Sequence, residues 1–271
     1  LKPSIYENSR DVFLDTVNAK DYIQLERVST IYQSLKDSIE KPLKMVLLYG
    51  KPGTGKSMFL SKLHHNLASS QKVCLYKTPI LDESEFFKTL AQDLYGIGYE
   101  GELNFTQFIK VVENKELIGA TVPLILLDEA QLYSTPMMEK IRLLSDTRKV
   151  KFVIALHKTE KEDIIAKEHF QTRIWESIRL ENASTSELKI YIQKKLMKVN
   201  CIDTASMFTQ SSINLVHKLT DGNYRDVNKL IYTLFDIYVY YANNNSNKIN
   251  KSEISTKFIE MAAIHTGLID A

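Results

Sequence analysis

The sequence predicts a three-layer α/β domain built on a parallel sheet, followed by a smaller all-α region. Three observations predict it. Residues 45–49, MVLLY, run directly into GKPGTGKS at 50–57 and then into a helical pattern, so that a strand, a glycine-rich turn and a helix follow one another. Further short apolar runs alternate with helical segments, as expected for parallel strands covered on both faces. Beyond residue 183 every periodic segment has helical spacing. The organisation expected is an N-terminal segment at 1–44 leading into the core, an α/β domain at 45–183 and a helical domain at 184–271.

The elements follow in order. In STIYQSLKDSIE, Ile31, Leu35 and Ile39 recur at helical spacing behind Ser29, a candidate N-cap. MVLLYG is too short for a helix and reads as a buried strand, whereas Phe59, Leu60, Leu63 and Leu67 place a helix after the glycine loop. KVCLYK is a second strand; DESEFFKTLAQDLYG and NFTQFIKVVENKEL are helices; VPLILLDEA is a third strand, apolar up to Asp128. TPMMEKIRLLSD reads as a helix with Pro136 in its first turn, KFVIALH as a fourth strand and WESIRL as a fifth. In ENASTSELKIYIQKKLM, Ser184 and Glu187 have capping-box spacing, and helices are expected at 185–199, 208–220, 224–243 and 252–266.

Composition narrows the function. With 271 residues, 44% hydrophobic and 25% charged, the chain can bury a sizeable core. Its 35 basic and 33 acidic residues give no global pull toward nucleic acid or anionic membrane. Cys74 and Cys201 lack metal or disulfide spacing and read as buried thiols. The longest apolar stretch, from Leu230, is broken by Asp236, so no membrane span is expected and the chain reads as soluble. Leu1 in place of an initiating Met suggests a piece of a longer chain, and a membrane or targeting segment outside it stays open.

The pattern G-x-x-x-x-G-K-[ST] carries the chemistry. A phosphate chain is held by inward-facing backbone N–H groups and the following helix N-terminus, and Gly53 and Gly55 let the backbone approach it. The candidate nucleotide-binding set is Gly50, Pro52, Gly53, Thr54, Gly55, Lys56, Ser57 and Met58. Lys56 is the phosphate-neutralising cation and Ser57 a Mg²⁺ ligand. About 70 residues on, LILLDEA ends a strand on two carboxylates: Asp128 as the second Mg²⁺ ligand and Glu129 as the residue that orients or deprotonates the attacking water.

GKPGTGKS, LILLDEAQ, EKIRLLSD, FVIALHKTE, FQTRIW and TDGNYRDVNKL, in that order, resemble the successive motifs of AAA+ ATPases, in particular the ExeA-type general secretion pathway ATPases. The resemblance runs from about residue 22 to 267. It implies a P-loop NTPase sheet of AAA+ type with a small all-α lid, and MgATP as the ligand. It places His157 where the family keeps a polar sensor, commonly Gln or Asn, so this histidine departs from the pattern. It makes Arg173 a finger projected into a neighbouring subunit's site, with a surface or salt-bridged arginine as the plain alternative and Arg179 as a second candidate. It makes Arg225 the lid arginine that senses the γ-phosphate, following Gly222 read as a helix C-cap.

A homo-oligomer formed on ATP binding and a protein partner are implied. So is a cytoplasmic secretion or pilus assembly ATPase, tethered to the inner membrane through a region outside this chain. An ATP-dependent DNA-associated switch of the transposition-helper or replication-loader type is the alternative, and a nucleotide-gated scaffold with little turnover is a third reading.

Other features read as structural. KKLMK at 194–198 reads as a solvated helix face, His64 and His65 as a pair pointing apart, and YTLFDIYVYY as core of the helical domain.

Overall fold

The computed structural model describes residues 5–14, 16, 19–41, 45–114, 121–157 and 174–270. The described residues divide into two units, one within 17–22 and 27–180 and the other within 1–16, 23–26 and 181–271.

The first unit is the α/β domain. Its elements are α2 (Glu26–Glu40), β1 (Met45–Gly50), α3 (Lys56–Leu67), β2 (Val73–Tyr76), α4 (Glu83–Tyr95), α5 (Phe105–Asn114), β3 (Leu124–Leu127), α6 (Thr135–Asp146), β4 (Lys151–His157) and β5 (Ile174–Arg179). Among the described residues five strands form one sheet in the order β2-β3-β4-β1-β5, with parallel pairing throughout.

Alternation along each strand sorts side chains to two cores. Ile125 and Leu127 of β3, with Phe152 and Ile154 of β4, pack against Phe86, Phe87, Leu90, Phe108 and Ile141. Leu124 and Leu126, with Val153 and Ala155, pack on the other side against Leu35, Ile39, Phe59, Leu60 and Leu63. All four residues of β3 are buried, which is why that strand reads as an unbroken apolar run.

Local signals set the helix ends. Asp82 caps α4 by accepting from the Glu85 N–H at 2.8 Å, and Gly96 ends that helix at φ 68°. Ser134 caps α6, with a proline in its first turn.

The second unit is helical: α1 (Ile5–Asp11), α7 (Thr185–Lys198), α8 (Ile202–Ser206), α9 (Gln210–Thr220), α10 (Tyr224–Asn244) and α11 (Thr256–Thr266). The Ser184–Glu187 capping box is formed. The tyrosine-rich stretch of α10 is largely core: Tyr238 and Phe235 are fully buried, and Tyr241 stacks on Phe258 at 5.0 Å.

Three features depart from the sequence reading. Helix α1 joins this unit, with Tyr6 against Tyr238 at 5.1 Å and Arg10 paired to Asp236 at 3.0 Å. Lys195, read as part of a solvated face, is buried. Its ammonium donates to Asn228 Oδ1 at 3.1 Å and lies 5.0 Å from the Phe13 ring centre and 5.4 Å from that of Tyr191.

The third departure concerns the end of α9. The left-handed C-cap there is Asp221, at φ 51°, and Gly222 follows it. A Cβ on Gly222 would meet the Ala183 carbonyl oxygen at 2.0 Å, so glycine serves close backbone approach there as well as its own positive φ.

Candidate active site

Strand β1 ends on Gly50, and the chain turns through Gly53 at φ 79° and Gly55 at φ 93° before α3 begins. An L side chain at either turn glycine would be strained. Gly50 is needed for a different reason: a Cβ there would fall 2.3 Å from the Leu180 carbonyl oxygen and 3.0 Å from Thr54 Oγ1. The Thr54 hydroxyl donates to the Lys51 carbonyl at 2.9 Å and braces the turn.

Gly55, as N-cap of α3, supplies no side-chain cap, and the space where its Cβ would lie is open for 4 Å. The first turn of α3 is therefore a place where an anion can take the capping role. Lys56 is buried, with its ammonium donating to the Gly50 carbonyl at 2.9 Å and the Lys51 carbonyl at 2.8 Å. These carbonyl contacts hold the cation over the turn, and phosphate oxygens would take their place. Pro52 is exposed and Met58 half-buried.

The acidic pair lies at the end of β3. The Asp128 N–H donates to the Tyr76 carbonyl at 3.0 Å, extending the sheet ladder by one residue. Asp128 is buried, its Oδ1 accepts from the Glu129 N–H at 2.9 Å, and its carboxylate hydrogen-bonds the Ser57 side chain. Burial pushes its pKa above the ordinary carboxylate value; hydrogen bonds from Ser57 and the Glu129 N–H act against that rise, the Glu129 charge adds to it and Lys56 opposes it. A hydroxyl and a carboxylate brought together beside a phosphate loop are hard oxygen donors that suit Mg²⁺. Among the described residues no cluster of three or more His, Cys, Asp or Glu forms a metal site by itself, so this pair would need oxygens from nucleotide and water to complete a shell.

Glu129 has left-handed backbone, φ 50° and ψ 37°, and leads into a 3₁₀ turn at Ala130–Leu132. Such a conformation is costly for a non-glycine residue, and here it turns the chain off the strand end. Buried Ala130 and Tyr133 anchor the turn. The Glu129 carboxylate meets two partners: Gln131 donates to Oε2 at 2.5 Å, and His157 Nε2 lies 3.3 Å from Oε1.

His157 is the last residue of β4 and is in register with Gly50 of β1, which puts it beside the start of the glycine loop. Gln131 closes the group, its Oε1 accepting the His157 backbone N–H at 3.1 Å. Sequence reasoning passed over Gln131; its only signal is its place two residues beyond Glu129 in LLDEAQ.

The glycine loop, Lys56, Ser57, Asp128, Glu129 and His157 thus come together at the C-terminal end of the sheet, where open α/β sheets bind ligands. Arg179, in β5 opposite Tyr49, is exposed. Arg225, the second residue of α10, belongs to the helical unit and is exposed. Arg173 lies outside the described residues.

Residues 40–165 match the family described as AAA domain. Solved structures match over nearly the whole chain. Cdc6p from Pyrobaculum aerophilum is 15% identical at a TM-score of 0.64, over 96% of this chain and 71% of that one. The Aeropyrum pernix ORC1 protein, solved in complex with DNA, is 15% identical at 0.61, over 95% and 69%. The fold is that of an AAA+ P-loop NTPase. The Holliday junction branch migration motor RuvB of Thermotoga maritima shares this AAA+ fold at 15% identity and a TM-score of 0.57, over 94% of this chain and 73% of that one. No curated protein matched the chain by sequence. The narrower ExeA-type likeness rests on the sequence motifs alone.

Proposed function

We propose that the protein binds MgATP on the 50–57 loop and hydrolyses it within an oligomer, using the cycle to drive assembly or remodelling of a partner complex. The observation that carries this reading is the Glu129 carboxylate, held by Gln131 and His157 at the same sheet end as Lys56 and the Ser57–Asp128 pair. In this reading Lys56 neutralises phosphate charge, and Ser57 and Asp128 hold Mg²⁺, which would add positive charge against the phosphates. Glu129 accepts a proton from the attacking water. Arg173 of a neighbouring copy stabilises the developing charge, and Arg225 reports the nucleotide state to the helical unit. A cytoplasmic location, implied by the ExeA-type resemblance, is part of this proposal. Service to an envelope secretion or pilus system is the finer form of this proposal, motivated by the ExeA-type motifs.

Steady-state ATPase activity measured against protein concentration tests it, with Glu129→Gln and Arg173→Ala beside the wild type. Specific activity should rise with concentration, and Glu129→Gln should lose about 10²-fold or more in turnover while still binding ATP. Turnover that is flat with concentration and insensitive to both substitutions would overturn the reading.

A second reading, an ATP-dependent switch acting on DNA, is favoured by the likeness to an ORC1 protein solved with DNA. Duplex binding by fluorescence anisotropy across a salt series tests it. Phosphate contacts predict a steep fall in affinity with salt, and no binding at low salt would remove the reading.

A further inference from the structure

Gln131 has three polar contacts. Its Oε1 lies 3.1 Å from the His157 backbone nitrogen, and its Nε2 lies 2.5 Å from Glu129 Oε2 and 3.4 Å from His157 Nδ1. A backbone N–H can only donate, so the atom facing it must be the amide oxygen; the amide nitrogen therefore points the other way, toward Glu129 and the imidazole. An amide nitrogen can only donate, so His157 Nδ1 must be an acceptor without a proton. The proton of a neutral imidazole then resides on Nε2, and Nε2 is the atom 3.3 Å from Glu129 Oε1. Both oxygens of the Glu129 carboxylate thus face this pair, Oε2 accepting from Gln131 and Oε1 lying 3.3 Å from His157 Nε2.

Building on the proposed hydrolytic site, we propose that Gln131 is a positioning residue: it holds His157 in the Nε2–H tautomer and, with it, fixes the Glu129 carboxylate in one orientation. Glu129 needs such help, because its backbone leaves β3 in a left-handed turn and the strand does not fix its side chain. The departure at position 157 then has a physical meaning. A histidine can serve as a one-way donor to the carboxylate only when something fixes its tautomer, and Gln131 does so.

The test reads the imidazole directly. Long-range ¹H–¹⁵N correlation spectra at neutral pH distinguish the two tautomers, and His157 is identified among the six histidines by the signal lost in His157→Asn. Wild-type protein should show the Nε2–H form. Gln131→Met, of similar length but without polar atoms, should give a mixture. Gln131→Glu keeps the oxygen facing the His157 N–H but puts an acceptor against both Nδ1 and Glu129 Oε2, so it should move the proton to Nδ1 and turn the Glu129 carboxylate away. A wild-type Nδ1–H form, or wild-type-like spectra in both variants, overturns the proposal. Should one variant fail to fold, the other decides.

In turnover assays both variants should lose kcat by about 10-fold, an order of magnitude below removal of the base itself, with KM and ATP Kd unchanged. Unchanged kcat in both variants also overturns the proposal. Absence of turnover in the wild type counts against the hydrolase reading instead, and the tautomer spectra still decide the role of Gln131.

Discussion

Gly50→Ala isolates the close approach that seats the glycine loop. The added Cβ would lie 2.3 Å from the Leu180 carbonyl oxygen, a backbone atom that cannot swing aside as a side chain can. Reaching even 3.0 Å needs a retreat of about 0.7 Å. Leu180 is itself bound to β1, its N–H donating to the Tyr49 carbonyl at 2.8 Å, so such a retreat stretches that bond to the edge of useful geometry. Overpacking costs about 1–3 kcal/mol and a weakened backbone hydrogen bond about 1 kcal/mol, giving roughly 2–4 kcal/mol. For a domain of this size each kcal/mol lowers the melting temperature by about 2–4 °C, so a fall of roughly 4–16 °C is expected.

Gly96→Ala is the matched comparison. At φ 68° with nothing within 4 Å of its Cβ, it carries the backbone cost alone, about 1–2 kcal/mol. Thermal unfolding followed by circular dichroism measures both, and ADP affinity should weaken only in Gly50→Ala, where the loop must move. A Gly50→Ala midpoint at or above that of Gly96→Ala would refute the steric argument.

Two further outcomes follow. Burial raises the Asp128 pKa above its unfolded value, so its favourable contribution to folding is complete below the unfolded pKa and is lost as pH rises through the folded one. At neutral pH Asp128→Asn should therefore melt higher than the wild type in chelator, because its amide keeps the Ser57 and Glu129 N–H partners without a buried charge, and it should lose the stabilisation that MgADP gives the wild type; a lower midpoint in chelator contradicts this. Phe87→Ala removes a fully buried ring packed 5.0 Å from Phe108 and 5.3 Å from Phe86, and chemical denaturation should show a loss of about 3–5 kcal/mol.

Much of the architecture was legible because it is encoded locally. The unbroken LILL run announces a strand covered on both faces, and Ser184 with Glu187 announces a helix start; both depend on neighbours in sequence. What was not legible depends on residues far apart. Nothing in IYENSRD reveals that α1 belongs with α10, because the partners of Tyr6 and Phe13 are Tyr238 and Phe235, more than 200 positions away. Lys195 looks solvated in a run of charge until the distant Phe13 ring and Asn228 join Tyr191 of its own helix around it. The glycine loop and the acidic pair could be read from spacing, since each is a contiguous motif. Gln131 could not, since its meaning appears only when the end of β4 is laid beside the turn after β3.

The pairing of α1 with α10 also bears on how the molecule is made. The helical unit is assembled from three stretches of chain, within 1–16, 23–26 and 181–271, the last set apart from the others by residues 27–180 of the α/β unit. During synthesis α1 and the nearby Phe13 emerge before α10, and Tyr6 and Phe13 must wait unsatisfied until α10 leaves the ribosome. The α/β unit meanwhile has all of its own strands and can form on its own schedule. Contacts of such long sequence separation are slow to close, so the helical unit should be the late event in refolding. Trimming the first sixteen residues should accordingly damage the far end of the sequence, not the segment next to the cut.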